Sequence, residues 1–170
     1  MNNEQAELVV TEKELAINML VAAWDAQNKN FNDFLAKVTD EELAAETAPG
    51  RNTGTYLLGH LVAVNDNMIK LMGLGDKRYP ELVEIFITSP DKSGKTMPSI
   101  STLREYYNTV TTDLNTQIRK FTADDWFGKH TAVSAEDFAK EPHRNKLNII
   151  ISRTSHLSYH LGQLIYLLKK

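Results

Sequence analysis

The sequence contains no cysteine, and that one absence removes several chemistries at once. Disulfides, thiolate zinc sites, iron–sulfur clusters and a cysteine nucleophile are all excluded. Any metal held by this chain must therefore take its donors from His, Asp, Glu or water. Long apolar runs are missing too: no stretch reaches the roughly 20 residues needed to span a bilayer. The opening MNNEQAELVVTEKE lacks the basic start and continuous apolar run of a secretory signal. Both features set the expectation of a cytoplasmic protein with no membrane partner. Basic residues are the minority, 19 Lys and Arg against 22 Asp and Glu, and they are scattered along the chain. A nucleic-acid partner is not expected, because phosphate binding usually calls for a basic face. Alternating strand patterns are nearly absent as well.

What the chain does have is helical periodicity over a length of 170 residues, which suits one domain able to bury roughly two-thirds of the surface of its unfolded chain. A capping box, Thr11-x-x-Glu14, opens a first helix over about 11–38, whose apolar face includes Ile17, Leu20, Val21, Trp24, Phe31, Phe34, Leu35 and Val38. A second box, Thr39-x-x-Glu42, predicts a short helical turn, and Pro49, Gly50 and Gly54 then break the chain before a helix over about 53–72. Residues 73–100 read as a crossover with a short helix at the apolar island Leu82 to Ile87. Thr102-x-x-Glu105 is the expected cap of a third helix that runs to Phe121. A second long connection, 122–142, leads to Pro142, expected in the first turn of a fourth helix patterned from Leu147 to Leu168. Four long amphipathic helices in one chain predict an all-α four-helix bundle covering 1–170, its long connections permitting a topology other than up-down-up-down. Trp24, Trp126 and the methionines are assigned to the core.

Three histidines have a placement that ordinary core packing does not require. At about 100° per residue, Val64, Leu57 and Met68 fall within about 80° of His60, so this histidine lies at the edge of its helix's apolar face. On the fourth helix His160 lies about 40° from His156, with Leu164 and Leu157 beyond it, so both face inward. Residues i and i+4 are helical neighbours with Cβ atoms about 5–6 Å apart, close enough for two imidazoles to chelate one ion. A third imidazole from another helix completes a three-nitrogen face with coordination positions left for water or substrate. Such a donor set favours Zn²⁺, Ni²⁺, Fe²⁺ or Mn²⁺ over Ca²⁺ or Mg²⁺. The competing reading is a pair of hydrogen-bonded core histidines. Leu157, Ser158 and Tyr159 stand between the pair, so the glutamate of the HExxH metalloprotease signature is missing and that type of peptide hydrolysis is excluded.

Two segments carry a resemblance. Thr55-Tyr-Leu-Leu-Gly-His60-Leu is similar to the start of the second helix of the DinB-like family, and Ser155-His156-Leu-Ser-Tyr-His160-Leu-Gly162-Gln163-Leu resembles that family's closing H-x-x-x-H-x-G-Q motif. Their order, their separation and the helix count extend the resemblance over essentially the whole chain. It implies a bundle with non-sequential helix packing, a three-His divalent metal site in a cleft (His60, His156, His160) and a homodimer. It also implies a small-molecule substrate: better understood members join bacillithiol or mycothiol to electrophiles, a mycothiol-dependent maleylpyruvate isomerase is among the relatives, and many others have no assigned reaction. A low-molecular-weight thiol is thus an expected co-substrate beside the metal.

Other residues are candidates for substrate binding. Arg153 lies about 60° from His156 and either clamps a carboxylate beside the metal or forms a structural ion pair with an Asp or Glu at the core edge. Asn67 lies two turns after His60, at about −20°, where it contacts a ligand or substrate or faces solvent. Gln163, at about −20° to His156, orients a ligand or serves the glycine turn. Tyr159 and Tyr166 share a different stripe, suited to a dimer contact. His130 and His143 have no partner at ligand spacing. Two functional classes follow: a metal-dependent thiol S-transferase or hydrolase, and a non-catalytic bundle with a structural or sensory metal, or none.

Overall fold

The computed structural model describes residues 10–169; residues 1–9, part of the segment read above for a leader, and residue 170 lie outside the described part. The helices are α1 (Glu12–Leu35), α2 (Asp40–Ala44), α3 (Gly54–Leu71), α4 (Ile100–Ile118), α5 (Ala123–Phe127), α6 (Ala135–Lys140) and α7 (Lys146–Leu164). A π-helical turn covers Glu84–Thr88, a 3₁₀ turn covers Ile165–Leu167, and no strand forms among the described residues.

Local sequence starts most helices where expected. At Thr11 the hydroxyl accepts from Glu14 N while Glu14 Oε2 accepts from Thr11 N at 2.8 Å, and Thr39 with Glu42 repeats the arrangement. Two starts differ. Helix α4 is capped by Ser99, not Thr102: Ser99 Oγ accepts from Thr102 N at 3.1 Å, because Ile100 belongs to the same apolar face as Leu103 and packs on the core one turn earlier. Helix α7 is capped by Asn145, whose Oδ1 accepts from Asn148 N at 2.9 Å, while Pro142 stays in the preceding turn and accepts from Asn145 Nδ2. Asn is the stronger cap, satisfying a backbone donor that Pro leaves alone. Helices α1 and α4 also end three residues earlier than their apolar pattern, at Leu35 and Ile118, although Val38 still packs into the core. Trp24, Trp126, Met68 and Met72 are buried, but Met19 is 64% exposed, two residues from Ile17 and so on the outer side of α1.

Two apolar clusters stack along the bundle and show its directions. One joins Leu57, Leu61, Leu103 and Tyr107 to Phe31, Phe34, Leu157 and Leu164; the other joins Met68, Met72, Val110 and Leu114 to Ile17, Trp24, Leu147 and Ile150. Helices α3 and α4 therefore run parallel, α1 and α7 run parallel, and the two pairs oppose each other. Helix α1 packs on α7, and α3 packs on both α7 and α4. The ring closes where Tyr107 Oη donates to Asn28 Oδ1 at 3.0 Å and Trp24 Nε1 donates to Asn115 Oδ1 at 2.8 Å. Consecutive long helices α1 and α3 thus sit across the ring from one another.

Parallel α3 and α4 require the chain between them to travel the length of the bundle. Asp66 Oδ1 and Oδ2 accept from Arg78 N and Tyr79 N at 2.8 and 3.0 Å, Tyr56 Oη donates to Ser89 O at 2.8 Å, and Asp91 Oδ2 accepts from Thr53 N at 2.7 Å. These contacts pin the crossover along α3. The second connection joins antiparallel helices, stays at one end of the bundle and folds into α5 and α6, with Trp126 closing the lower cluster.

Candidate metal centre

Helix α3 brings His60, and α7 brings His156 and His160, to one place. His156 Nε2 lies 3.2 Å from His60 Nε2 and 3.0 Å from His160 Nε2, and the three ligand atoms all fall within 4.8 Å of one another. No fourth His, Asp or Glu joins this group among the described residues.

The outer nitrogens explain why the inner ones converge. His60 Nδ1 donates to Phe86 O at 2.8 Å; since a carbonyl only accepts, this ring carries its proton on Nδ1 and points a bare lone pair inward. His160 Nδ1 donates to Gln163 Oε1 at 2.8 Å, with Gln163 Nε2 turned to Tyr159 Oη at 3.3 Å, so its Nε2 is also a bare acceptor. Two bare acceptors close to the same His156 nitrogen repel unless a proton or a cation lies among them. One proton on His156 cannot point along both contacts. A divalent ion satisfies all three, and outer hydrogen bonds of this kind are the usual means of holding a ligating imidazole in its tautomer and orientation.

The spacing agrees with this chemistry. Nitrogen donors about 2.0–2.1 Å from one ion lie about 3.0 Å apart at a right angle and about 3.4 Å apart at the tetrahedral angle. The electrostatics agree as well: burial, then the His160 and His60 imidazoles and the Arg153 guanidinium, push His156 down to about 4, and burial lowers His160 against an opposing contribution from its bond to Gln163. Neutral imidazoles are the metal-binding form.

The remaining candidates fall around the cluster. Arg153, one turn before His156, is partly buried, and its Nε has no hydrogen-bond partner; among the described residues the structural ion pair expected for it does not form. Asn67 is partly buried on α3, and Gln163 is occupied with His160. His130 binds Ala132 N through Nδ1 in the connection after α5, and His143 is exposed, so neither joins the cluster. The Phe86 carbonyl was not foreseen as part of the site. A main-chain acceptor has no sequence signature, and the only sign of it was the apolar island in an otherwise polar crossover. The π-helical turn and the buried Phe86 ring place that carbonyl against α3.

Residues 23–164 match the sequence profile of the DinB superfamily, which covers most of the chain. The chain belongs to the DinB superfamily. No curated protein matches it. Membership and the three-histidine cluster together fit a metal-dependent DinB protein. Among the described residues no helix is long and apolar enough to cross a membrane.

Proposed function

We propose that this DinB-superfamily protein is a divalent-metal-dependent enzyme that joins a low-molecular-weight thiol to a small electrophile. The observation that carries the reading is a face of three imidazoles with no fourth protein donor among the described residues, because an open face is the mark of catalytic rather than closed structural metal sites. Zn²⁺, Ni²⁺, Fe²⁺ and Mn²⁺ all suit the donors. An ion held there supplies a lowered pKa for a thiol or water that reaches it. Phe86 O and Gln163 Oε1 keep His60 and His160 aimed inward throughout. In the reaction the thiol sulfur forms a bond to an electrophilic carbon, and its proton leaves to water. In an addition the acceptor's π bond breaks and its electron pair takes up a proton from water; in a substitution the leaving group departs with the electrons of the broken bond.

The test compares metal-free and metal-loaded protein, purified without a histidine tag, against several thiols including bacillithiol, paired with electrophiles and with esters or amides. Thiol addition should be at least tenfold faster with metal. Acceleration of ester or amide cleavage alone would move the assignment to a hydrolase. No rate change with the ion demonstrably bound would sink both and leave a structural or sensory metal.

The homodimer is proposed for the outer side of α7 and the turn after it, where Tyr159, Ile165 and Tyr166 are 64%, 49% and 80% exposed. Light scattering should report twice the chain mass; a concentration-independent monomer would exclude it.

A further inference from the structure

Among the described residues Arg153 is the one partly buried arginine that faces no carboxylate. Arg78, Arg104, Arg119 and Arg144 each face a carboxylate, on Asp113, Asp40, Asp25 and Glu141 respectively. Arg51 is exposed. Arg153 is drawn partly into the protein with its Nε fully buried and unpartnered. Asp66, the buried carboxylate of α3, is committed instead to the backbone amides of Arg78 and Tyr79. A buried N–H left without an acceptor opposes folding, because it gives up its water and gains no hydrogen bond in return. It is tolerated where a ligand supplies the missing acceptor.

Its position says where that ligand lies. Helices α3 and α7 run antiparallel, because Gly54 at the start of α3 sits against Leu167 just beyond the end of α7. Arg153 precedes His156 and Asn67 follows His60, so both are displaced from the histidines toward the same end of the bundle, Arg153 by about 4.5 Å and Asn67 by about 10 Å along the helix axes. Both are partly buried.

We infer that Arg153 is a substrate-positioning site for a carboxylate, carried by the thiol or by its acceptor a short carbon chain away from the reacting atom, with Asn67 offering an amide on the same side. This rests on the metal-site reading above and narrows its substrate class to anionic molecules. A planar guanidinium with Nε–H and Nη–H side by side matches a carboxylate bidentately, which a lysine ammonium does not.

The experiment uses cobalt-loaded protein and two thiols that differ only in charge, mercaptopropionate and mercaptopropionamide, with binding read from the thiolate-to-cobalt absorption. Propionate, which has no thiol, is titrated separately by calorimetry. Wild type should prefer the acid over the amide by at least tenfold, and Arg153→Gln should lose that preference. A preference confined to the thiol pair puts the carboxylate on the thiol; propionate binding that needs Arg153, with no preference between the thiols, puts it on the acceptor. If no thiol perturbs the cobalt spectrum while propionate still requires Arg153, the S-transfer reading falls and the anion site stands. The inference is overturned if neither preference nor propionate affinity changes in Arg153→Gln. It is equally overturned if that variant melts well below wild type in the ligand-free state, since a guanidinium with no polar partner among the described residues has no structural bond there to lose.

Discussion

Replacing any one of His60, His156 or His160 by Ala should reduce bound divalent metal from a single ion per chain to a small fraction of that, with the helical circular dichroism signal retained. Each ring contributes one donor to a cluster in which His156 Nε2 lies 3.2 and 3.0 Å from the other two and all three lie within 4.8 Å, and no neighbouring His, Asp or Glu among the described residues can step in. Losing a donor should cost more than the 10–100-fold typical of losing an outer hydrogen-bond partner. The fold should survive, because the apolar clusters on either side of the histidines do not include them. Acidification gives an independent check. In metal-free protein His156 titrates near 4, against 6.5 as its ordinary value, so the unfolded chain takes up this proton first as pH falls. The contribution of this group to stability is therefore complete above 6.5, declines below it and is exhausted below about 4. In metal-loaded protein the same protons compete with the ion, and occupancy should fall over that range. Unchanged metal content in all three Ala variants, by elemental analysis, would refute the site.

Gly59→Ala should both destabilise the protein and weaken its hold on metal. A methyl group at this position would overlap the Phe86 ring, which is fully buried. Alanine in place of glycine inside a helix ordinarily gains about 1 kcal/mol. Overpacking of a tight core costs about 1–3 kcal/mol, and here the obstacle is an aromatic ring, so the loss should outweigh the gain. The larger consequence is for the site. Phe86 O holds the His60 Nδ1 proton, so any shift of the π-helical turn loosens the imidazole that completes the cluster. Metal affinity should drop about 10–100-fold. A variant that melts at or above wild type and binds metal as tightly would show that Phe86 does not set the orientation of His60.

Much of this was legible in the residues. The Thr11 and Thr39 capping boxes, the apolar periodicity of the long helices and the inward placement of His60, His156 and His160 follow from a 3.6-residue repeat, which acts over a few residues and can be counted. Local patterns also misplace things where two caps compete. Ser99 and Asn145 prevailed over Thr102 and Pro142, because the packing of Ile100 and the donor needs of the α7 amides decide which cap is used.

By itself, then, the sequence determined an all-helical chain without thiol chemistry and with three imidazoles on inward faces of two helices, since composition and helical phase are properties of the chain taken a few residues at a time. Only the tertiary structure decided that α3 and α7 run antiparallel as neighbours, that the Phe86 carbonyl and the Gln163 amide turn two imidazoles toward a third, and that no carboxylate among the described residues answers Arg153. Those facts depend on contacts between residues far apart in the chain, such as His60 and His156 at 96 positions, and on which acidic side chain the crossover engages. Such long-range pairings are settled by packing the whole bundle at once, and no local spacing encodes them.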